Sequence, residues 1–204
     1  MELRFTRDNI LNTVLRDRCG RPLYRIESPW KVKNRITTIS RIFPNPFSTS
    51  GDGDAPEEDA EGAAEGQENV RADNASDTDI LLAGMEERVV AQILWQDRGQ
   101  SIFTIDGRER KLNEYMPATS IFATKRVFVA SDGKSYKWVI GKLGCRMESN
   151  EKDDNRHLVK LHRSVLAVIG KGRTPWLEVA EEVVPILDEV LTTFVWMERR
   201  FEGI

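Results

Sequence analysis

Few side chains in this sequence suit acid–base, nucleophilic or metal chemistry. There are two histidines, His157 and His162, and two cysteines, Cys19 and Cys145. Five positions apart on a regular strand, the two imidazoles point to opposite faces. That makes them poor co-ligands, because metal sites draw on several convergent His, Cys or carboxylate groups. The cysteines lie far apart and form no Cys-x-x-Cys pair, so they read as structural thiols in a reducing compartment. Paired acids at Asp153-Asp154 and Glu181-Glu182 sit in turns or at element ends, where solvated loop charge is the simpler account. Gly170-Lys171-Gly172-Arg173 has the composition of a phosphate cradle without its spacing, and reads as a glycine-rich turn. There is no Gly-x-Ser-x-Gly elbow, no phosphate loop ending in Gly-Lys-Ser or Gly-Lys-Thr, and no dinucleotide fingerprint. The expectation is a protein with no catalytic residues, no metal and no cofactor.

What the residues do offer is cationic binding. Trp30, Lys31, Lys33 and Arg35 cluster in one loop, and Lys171 and Arg173 in another. A tryptophan beside three cations suits a membrane interface, with the ring at the boundary and the cations on phosphate. These six are the candidate ligand-binding residues, although the same pattern also fits an ordinary solvated face with Trp30 in the core. The charge distribution adds weight to the first reading. Net charge is -3, yet between Ser48 and Asp79 lie eleven carboxylates and one base, Arg71. The remaining residues hold 22 acids against 29 Lys and Arg, a formal charge of +7. A basic folded part with an acidic insert points to an anionic membrane surface or an acidic protein as partner. No specific nucleic-acid signature is evident, and a monomer is expected.

The elements that must position these cations are mostly strands. From 44 to 84 the chain is rich in Gly, Ala, Ser, Asp and Glu with no hydrophobic period, the composition of a disordered insert that cannot bury enough apolar surface to offset its ordering entropy. Residues 1–43 and 85–204 then form one discontinuous β domain. Leu3–Thr6, Thr13–Arg16, Leu23–Glu27 and Arg35–Phe43 read as strands before the insert. Arg88–Trp95 and Ser101–Ile105 follow it, and Asp106-Gly107 is a two-residue hairpin turn requiring positive φ at both positions. A second hairpin joins Val127–Ala130 to Tyr136–Ile140 through Ser131-Asp132-Gly133-Lys134. His157–Leu161, Val165–Ile169 and Trp176–Ala180 complete the strands. The last of these is favoured over a helix begun at Thr174-Pro175, because Pro185 would interrupt it.

Val190 to Met197 carries no charge. As a helix it is apolar nearly all round, as in a helix buried inside a domain. Its β-branched content suits a buried strand equally, and periodicity leaves both open. Charges at positions 2, 4, 7 and 8 leave no apolar stretch for a signal peptide. No run approaches the roughly 18 apolar residues of a membrane span. A cytoplasmic protein, membrane-peripheral or nuclear, is expected.

Several short motifs, taken in order, resemble a known family. They are Asp8-Asn9 with Asn12-Thr13, Leu23-Tyr24-Arg25-Ile26, Thr37-Thr38-Ile39, Ala91-Gln92-Ile93-Leu94-Trp95, Phe128 with Asp132-Gly133, Tyr136-Lys137-Trp138, and Leu187-Asp188 with Thr193-Phe194-Val195 and Glu198. Together they are similar to an uncharacterised domain family of mushroom-forming (basidiomycete) fungi. That family is grouped with the tubby C-terminal-like fold, alongside LURP-one-related proteins and phospholipid scramblases. The resemblance spans the chain except the insert and part of 145–175. It implies a mainly β fold, a closed antiparallel barrel with a hydrophobic helix at about 184–200 threaded through its centre. The family brings no catalytic residues. In tubby itself the domain resembles a phosphoinositide binder, whose site residues have no counterparts at identifiable positions here. The resulting expectation is a non-enzymatic module for anionic lipid headgroups, with a scaffold domain regulated by the acidic insert as the alternative.

Overall fold

The computed structural model describes residues 1–29, 35–44, 82, 84–96, 100–142, 144–151, 154, 156–163 and 174–202. The strands are β1 (Glu2–Phe5), β2 (Thr13–Arg16), β3 (Pro22–Glu27), β4 (Arg35–Pro44), β5 (Met85–Trp95), β6 (Ile102–Ile105), β7 (Arg108–Lys111), β8 (Lys125–Val129), β9 (Ser135–Gly141), β10 (Gly144–Ser149), β11 (His157–His162) and β12 (Trp176–Val179). A short helix, α1 (Leu112–Tyr115), follows β7, and a 3-10 segment (Glu181–Ile186) leads into α2 (Leu187–Glu202). By backbone proximity the chain divides into two compact units, Met1–Ile42 with Glu87–Ile204, and Phe43–Glu86. The acidic insert expected over 44–84 falls in the second unit, and its residues 45–81 and 83, on which the expectation of disorder rests, lie outside the described residues, as does Val165–Ile169.

Local chemistry accounts for the turns. Asp106 and Gly107 have φ of 49° and 74°, and Ile105 pairs with Arg108 across them, the primed turn whose twist matches the strands it joins. In the second hairpin Ala130 N donates to Lys134 O at 3.0 Å, and Gly133 supplies the positive φ of 79°. β10 is not among the strands expected from the sequence.

All twelve strands form one antiparallel sheet in the order β7-β6-β5-β4-β3-β2-β1-β12-β11-β10-β9-β8. Two meanders, β1 to β7 and β8 to β12, are joined by pairing of β1 with β12, where Leu3 faces Leu177. The sheet is not closed by backbone pairing, because the ladder has two ends, β7 and β8. The outer edge of β8 is already occupied by the segment after α1. Val127 N donates to Pro117 O at 3.1 Å and Thr119 N to Lys125 O at 2.9 Å. β7 itself is Arg-Glu-Arg-Lys and exposed throughout, a charged edge of the kind that resists further pairing.

The seam between the two ends is held by side chains. Tyr115 on α1 packs edge-on against Phe103 of β6, with centroids 5.8 Å apart, and against Phe128 of β8 at 5.9 Å. Its hydroxyl donates to Glu189 Oε2 at 2.7 Å. The other Glu189 oxygen accepts from Ser131 N at 2.8 Å.

Val190–Met197 is helical, and every residue from Glu189 to Glu198 is buried. Ten successive helical positions cover all sides of the axis, so α2 is a core element and not an amphipathic cover. Phe194 meets Phe5 at 6.2 Å and Trp138 at 6.0 Å. Burying a side chain of this size stabilises by about 1.5–3 kcal/mol. The buried threonines are satisfied locally. Thr193 Oγ1 donates to Glu189 O at 2.8 Å and accepts from Trp138 Nε1 at 2.9 Å. Near the start of the helix, Asp188 Oδ1 accepts from Tyr24 OH at 2.6 Å and Arg41 Nη2 at 2.7 Å, an acidic position that also suits the positive end of the helix dipole.

Candidate functional site

Of the six sequence candidates, Trp30, Lys31, Lys33, Lys171 and Arg173 lie outside the described residues. Arg35 is described, at the start of β4. Its Nε donates to Ser28 Oγ at 2.5 Å, and Ser28 Oγ is 2.8 Å from Thr37 Oγ1. Burial, and then the charge of Arg199, push the Arg35 guanidinium below its usual range.

A basic concavity lies elsewhere, on the outer face of β9, β10 and β11. It is a cleft of about 300 Å³ walled by Gly141, Lys142, Gly144, Arg146, His157 and Lys160, with Cys145 and Leu161 behind them. Antiparallel register builds it. Gly141 faces Gly144 across the β9–β10 turn, and Arg146 stands directly opposite Lys160. Two like charges facing across a ladder are locally unfavourable, and departures of this kind concentrate at functional sites.

A bulge in β11 completes the wall. Met147 pairs with Val159 but Glu148 with His157, so Leu158 is the extra residue, and both Leu158 and Val159 are buried. His157 therefore turns outward with Lys160 and His162, which corrects the expectation that the two histidines occupy opposite faces. They stand at opposite ends of the strand. His162 stacks on Trp176 at 3.8 Å with Nε2 2.8 Å from Glu178 Oε2.

Glu148 is the buried carboxylate beside the cleft floor. It lies 2.7 Å from Arg146 Nε, 3.2 Å from Lys137 Nζ and 3.7 Å from His157 Nδ1. Burial opposes its charge, but hydrogen bonds from Arg146 and Lys137 outweigh that and hold the carboxyl below its ordinary value of 4.5. Glu148 thus offsets one of the two positive charges of Arg146 and Lys137. Lys142 and Lys160 form no ion pair with a carboxylate among the described residues, and Glu178, opposite Lys160, is engaged with His162. The cleft offers ammonium and guanidinium donors to an anion. The signal that would have found it is the turn Gly141-Lys142-Leu143-Gly144, which implies a strand on each side and hence β10.

Beside the cleft, the end of α2 emerges among further cations. Arg163 pairs with the buried Glu198, which also accepts from Cys145 Sγ at 3.3 Å. Burial, then the Glu198 charge, push the Cys145 thiol well up. Arg126 is buried over the Trp196 ring at 4.7 Å, and Trp196 Nε1 donates to Ser101 Oγ at 3.2 Å.

A second cleft, of about 320 Å³, lies at the seam, lined by Tyr115, Pro117, Val127, Phe128 and Val129 with Arg110 and Glu114 at its rim. Its walls are mainly apolar, and the Tyr115 hydroxyl is turned inward to Glu189. Among the described residues no three His, Cys, Asp or Glu converge on one point. No helix among them is long and apolar enough to cross a membrane.

No curated protein and no solved structure matches this chain. A family model described as a family of unknown function, DUF6593, matches residues 8–202, and the chain belongs to that family.

Proposed function

We propose that this chain is a non-enzymatic binding module whose ligand is a phosphorylated lipid headgroup at an anionic membrane surface, held in the β9–β11 cleft. The observation that carries this is the pair Lys142 and Lys160, free of carboxylates among the described residues, at the rim of a cleft whose third cation, Arg146, stands opposite Lys160. A compact ammonium suits phosphate as a point charge, and a guanidinium adds a directed fork. The charge of +7 outside Ser48–Asp79 would raise the local concentration of any anionic surface.

A helix buried on every side by a nearly continuous sheet also supports the tubby-like reading of the fold, with the barrel closed at its seam by Tyr115 and Glu189 in place of backbone bonds. A cytoplasmic, membrane-peripheral location follows from that reading. The alternative, a scaffold domain regulated by its acidic insert, rests on the eleven carboxylates of Ser48–Asp79.

Calorimetric titration with soluble inositol bisphosphate at two salt concentrations tests the headgroup reading. Binding should weaken with salt and be lost in the Lys142→Glu, Lys160→Glu double variant. Equal affinity in the variant, or no binding at low salt, overturns it.

A further inference from the structure

The turn between α1 and β8 exposes two large apolar side chains side by side. Ile121 is 97% exposed and Phe122 79%. Single apolar residues on a surface are ordinary, whereas adjacent ones at the tip of a projecting turn call for a partner. The tip is built to hold them out. Ser120 Oγ accepts from Lys125 N at 3.0 Å and lies 3.1 Å from Thr124 Oγ1. Ala123 N donates to Ser120 O at 3.0 Å. Ala123 adopts a φ of 52°, a left-handed conformation that residues with a Cβ adopt only at a cost and that is found preferentially at functional sites. Arg126 anchors the base of the loop, with Nη1 bonded to Asn113 Oδ1 and Met116 O.

The surroundings of the tip select the partner. From Pro117 to Ser131 there is no carboxylate, and the exposed Lys125 follows closely on the apolar pair. Thr124 O accepts from Ile140 N at 2.8 Å, which places the tip beside the end of β9, one strand spacing of about 4.8 Å from it. Two residues beyond Ile140 is Lys142, at the rim of the basic cleft. An apolar tip flanked by cations matches an anionic bilayer, in which Phe122 and Ile121 enter the acyl boundary while the lysines remain at headgroup level.

We infer that the Ile121–Phe122 turn is an interfacial anchor. It inserts into an anionic lipid surface and sets the orientation in which the Lys142–Lys160 cleft meets headgroups. This rests on the headgroup reading of that cleft and adds the apolar half of the attachment. Membrane attachment generally needs two such signals, because either alone is weak.

The test uses the full chain and vesicles of phosphatidylcholine with a minority of phosphatidylserine and phosphatidylinositol bisphosphate. In the Ile121→Ser, Phe122→Ser double variant, vesicle partitioning should fall roughly 100-fold, about tenfold for each side chain withdrawn from the acyl boundary. Its affinity for soluble inositol bisphosphate should be unchanged, and both side chains are exposed enough that thermal unfolding should match the parent. The Lys142→Glu, Lys160→Glu variant should lose soluble and vesicle binding together, so the two readings fail separately.

A Phe122→Trp variant adds a readout of depth. The fluorescence it adds should shift to the blue on these vesicles and be quenched by brominated acyl chains. Undiminished partitioning of the serine variant, or no quenching of the added fluorescence on bound protein, overturns the anchor. Loss of self-association in the serine variant with vesicle binding intact would likewise overturn it, in favour of a protein contact.

Discussion

Glu189 is the most informative residue to remove, because it joins α2 to both sides of the open seam. It is 7% exposed and accepts from Tyr115 OH at 2.7 Å and Ser131 N at 2.8 Å. Glu189→Ala leaves the Tyr115 hydroxyl without a partner in a buried site, which costs about 2 kcal/mol. Ser131 N is partly reachable by water, so its loss costs about 1 kcal/mol. Removing an acid from the first turn of a helix adds about 0.5 kcal/mol. The sum is about 3.5 kcal/mol. With a urea m-value of about 2 kcal/mol/M for a domain of this size, the midpoint should fall by about 1.7 M. Glu189→Gln keeps one acceptor oxygen and should lie between Glu189→Ala and the parent. Tyr115→Phe combined with Glu189→Ala should cost less than the two singles together, because the orphaned hydroxyl is then absent. Equilibrium urea unfolding followed by tryptophan fluorescence measures all of these proteins. A Glu189→Ala midpoint within about 0.3 M of the parent, or strict additivity in the double variant, would refute the idea that side chains close this seam.

Four other outcomes can be measured. The Glu148 carboxyl sits below its ordinary 4.5, so its stabilisation is fully present above that value and lost as pH falls through the depressed one. Glu148→Gln should be less stable than the parent at neutral pH, with the gap closing in acid by urea titration. The same variant leaves Arg146 and Lys137 uncompensated and should bind inositol bisphosphate more tightly; weaker binding would place the anion elsewhere. Cys19 is exposed and Cys145 buried, with the Cys145 thiol pushed up by burial and the Glu198 charge. A thiol reagent should therefore modify one cysteine in the native protein and the second only on unfolding, and rapid native labelling of both would contradict that burial. Deleting residues 48–79 changes formal charge from -3 to +7 and should strengthen vesicle binding, most at low salt. An unchanged salt profile would dismiss any role for the insert in that binding.

The strands and turns were largely legible in the sequence, because their signals are local. Asp106-Gly107 needs positive φ at two positions, and alternation over Leu3–Thr6 or Tyr136–Trp138 marks a half-buried strand within a few residues. β10 was not read, although Cys145-Arg146-Met147-Glu148 alternates apolar with charged residues, because the stretch is short and its pairing with both β9 and β11 lies outside its own sequence. The segment Val190–Met197 named itself as core but not as helix, because amphipathic contrast is what reveals a period, and a segment buried on all sides has none.

The candidate site was hidden for a related reason. Composition showed the cationic character of the folded part. Lys142, Arg146, His157 and Lys160 become neighbours only through register across three strands, and His157 joins them only through a one-residue bulge. Residues adjacent along the chain were enough to establish which segments are strands, where they turn, and how charge divides between insert and domain. Folding in three dimensions was needed to bury the helix in the core, to leave the ladder open between β7 and β8, and to bring three separated cations into one cleft. Each of these depends on contacts between residues distant in sequence, where a shift of one position in register moves every side chain to the other face.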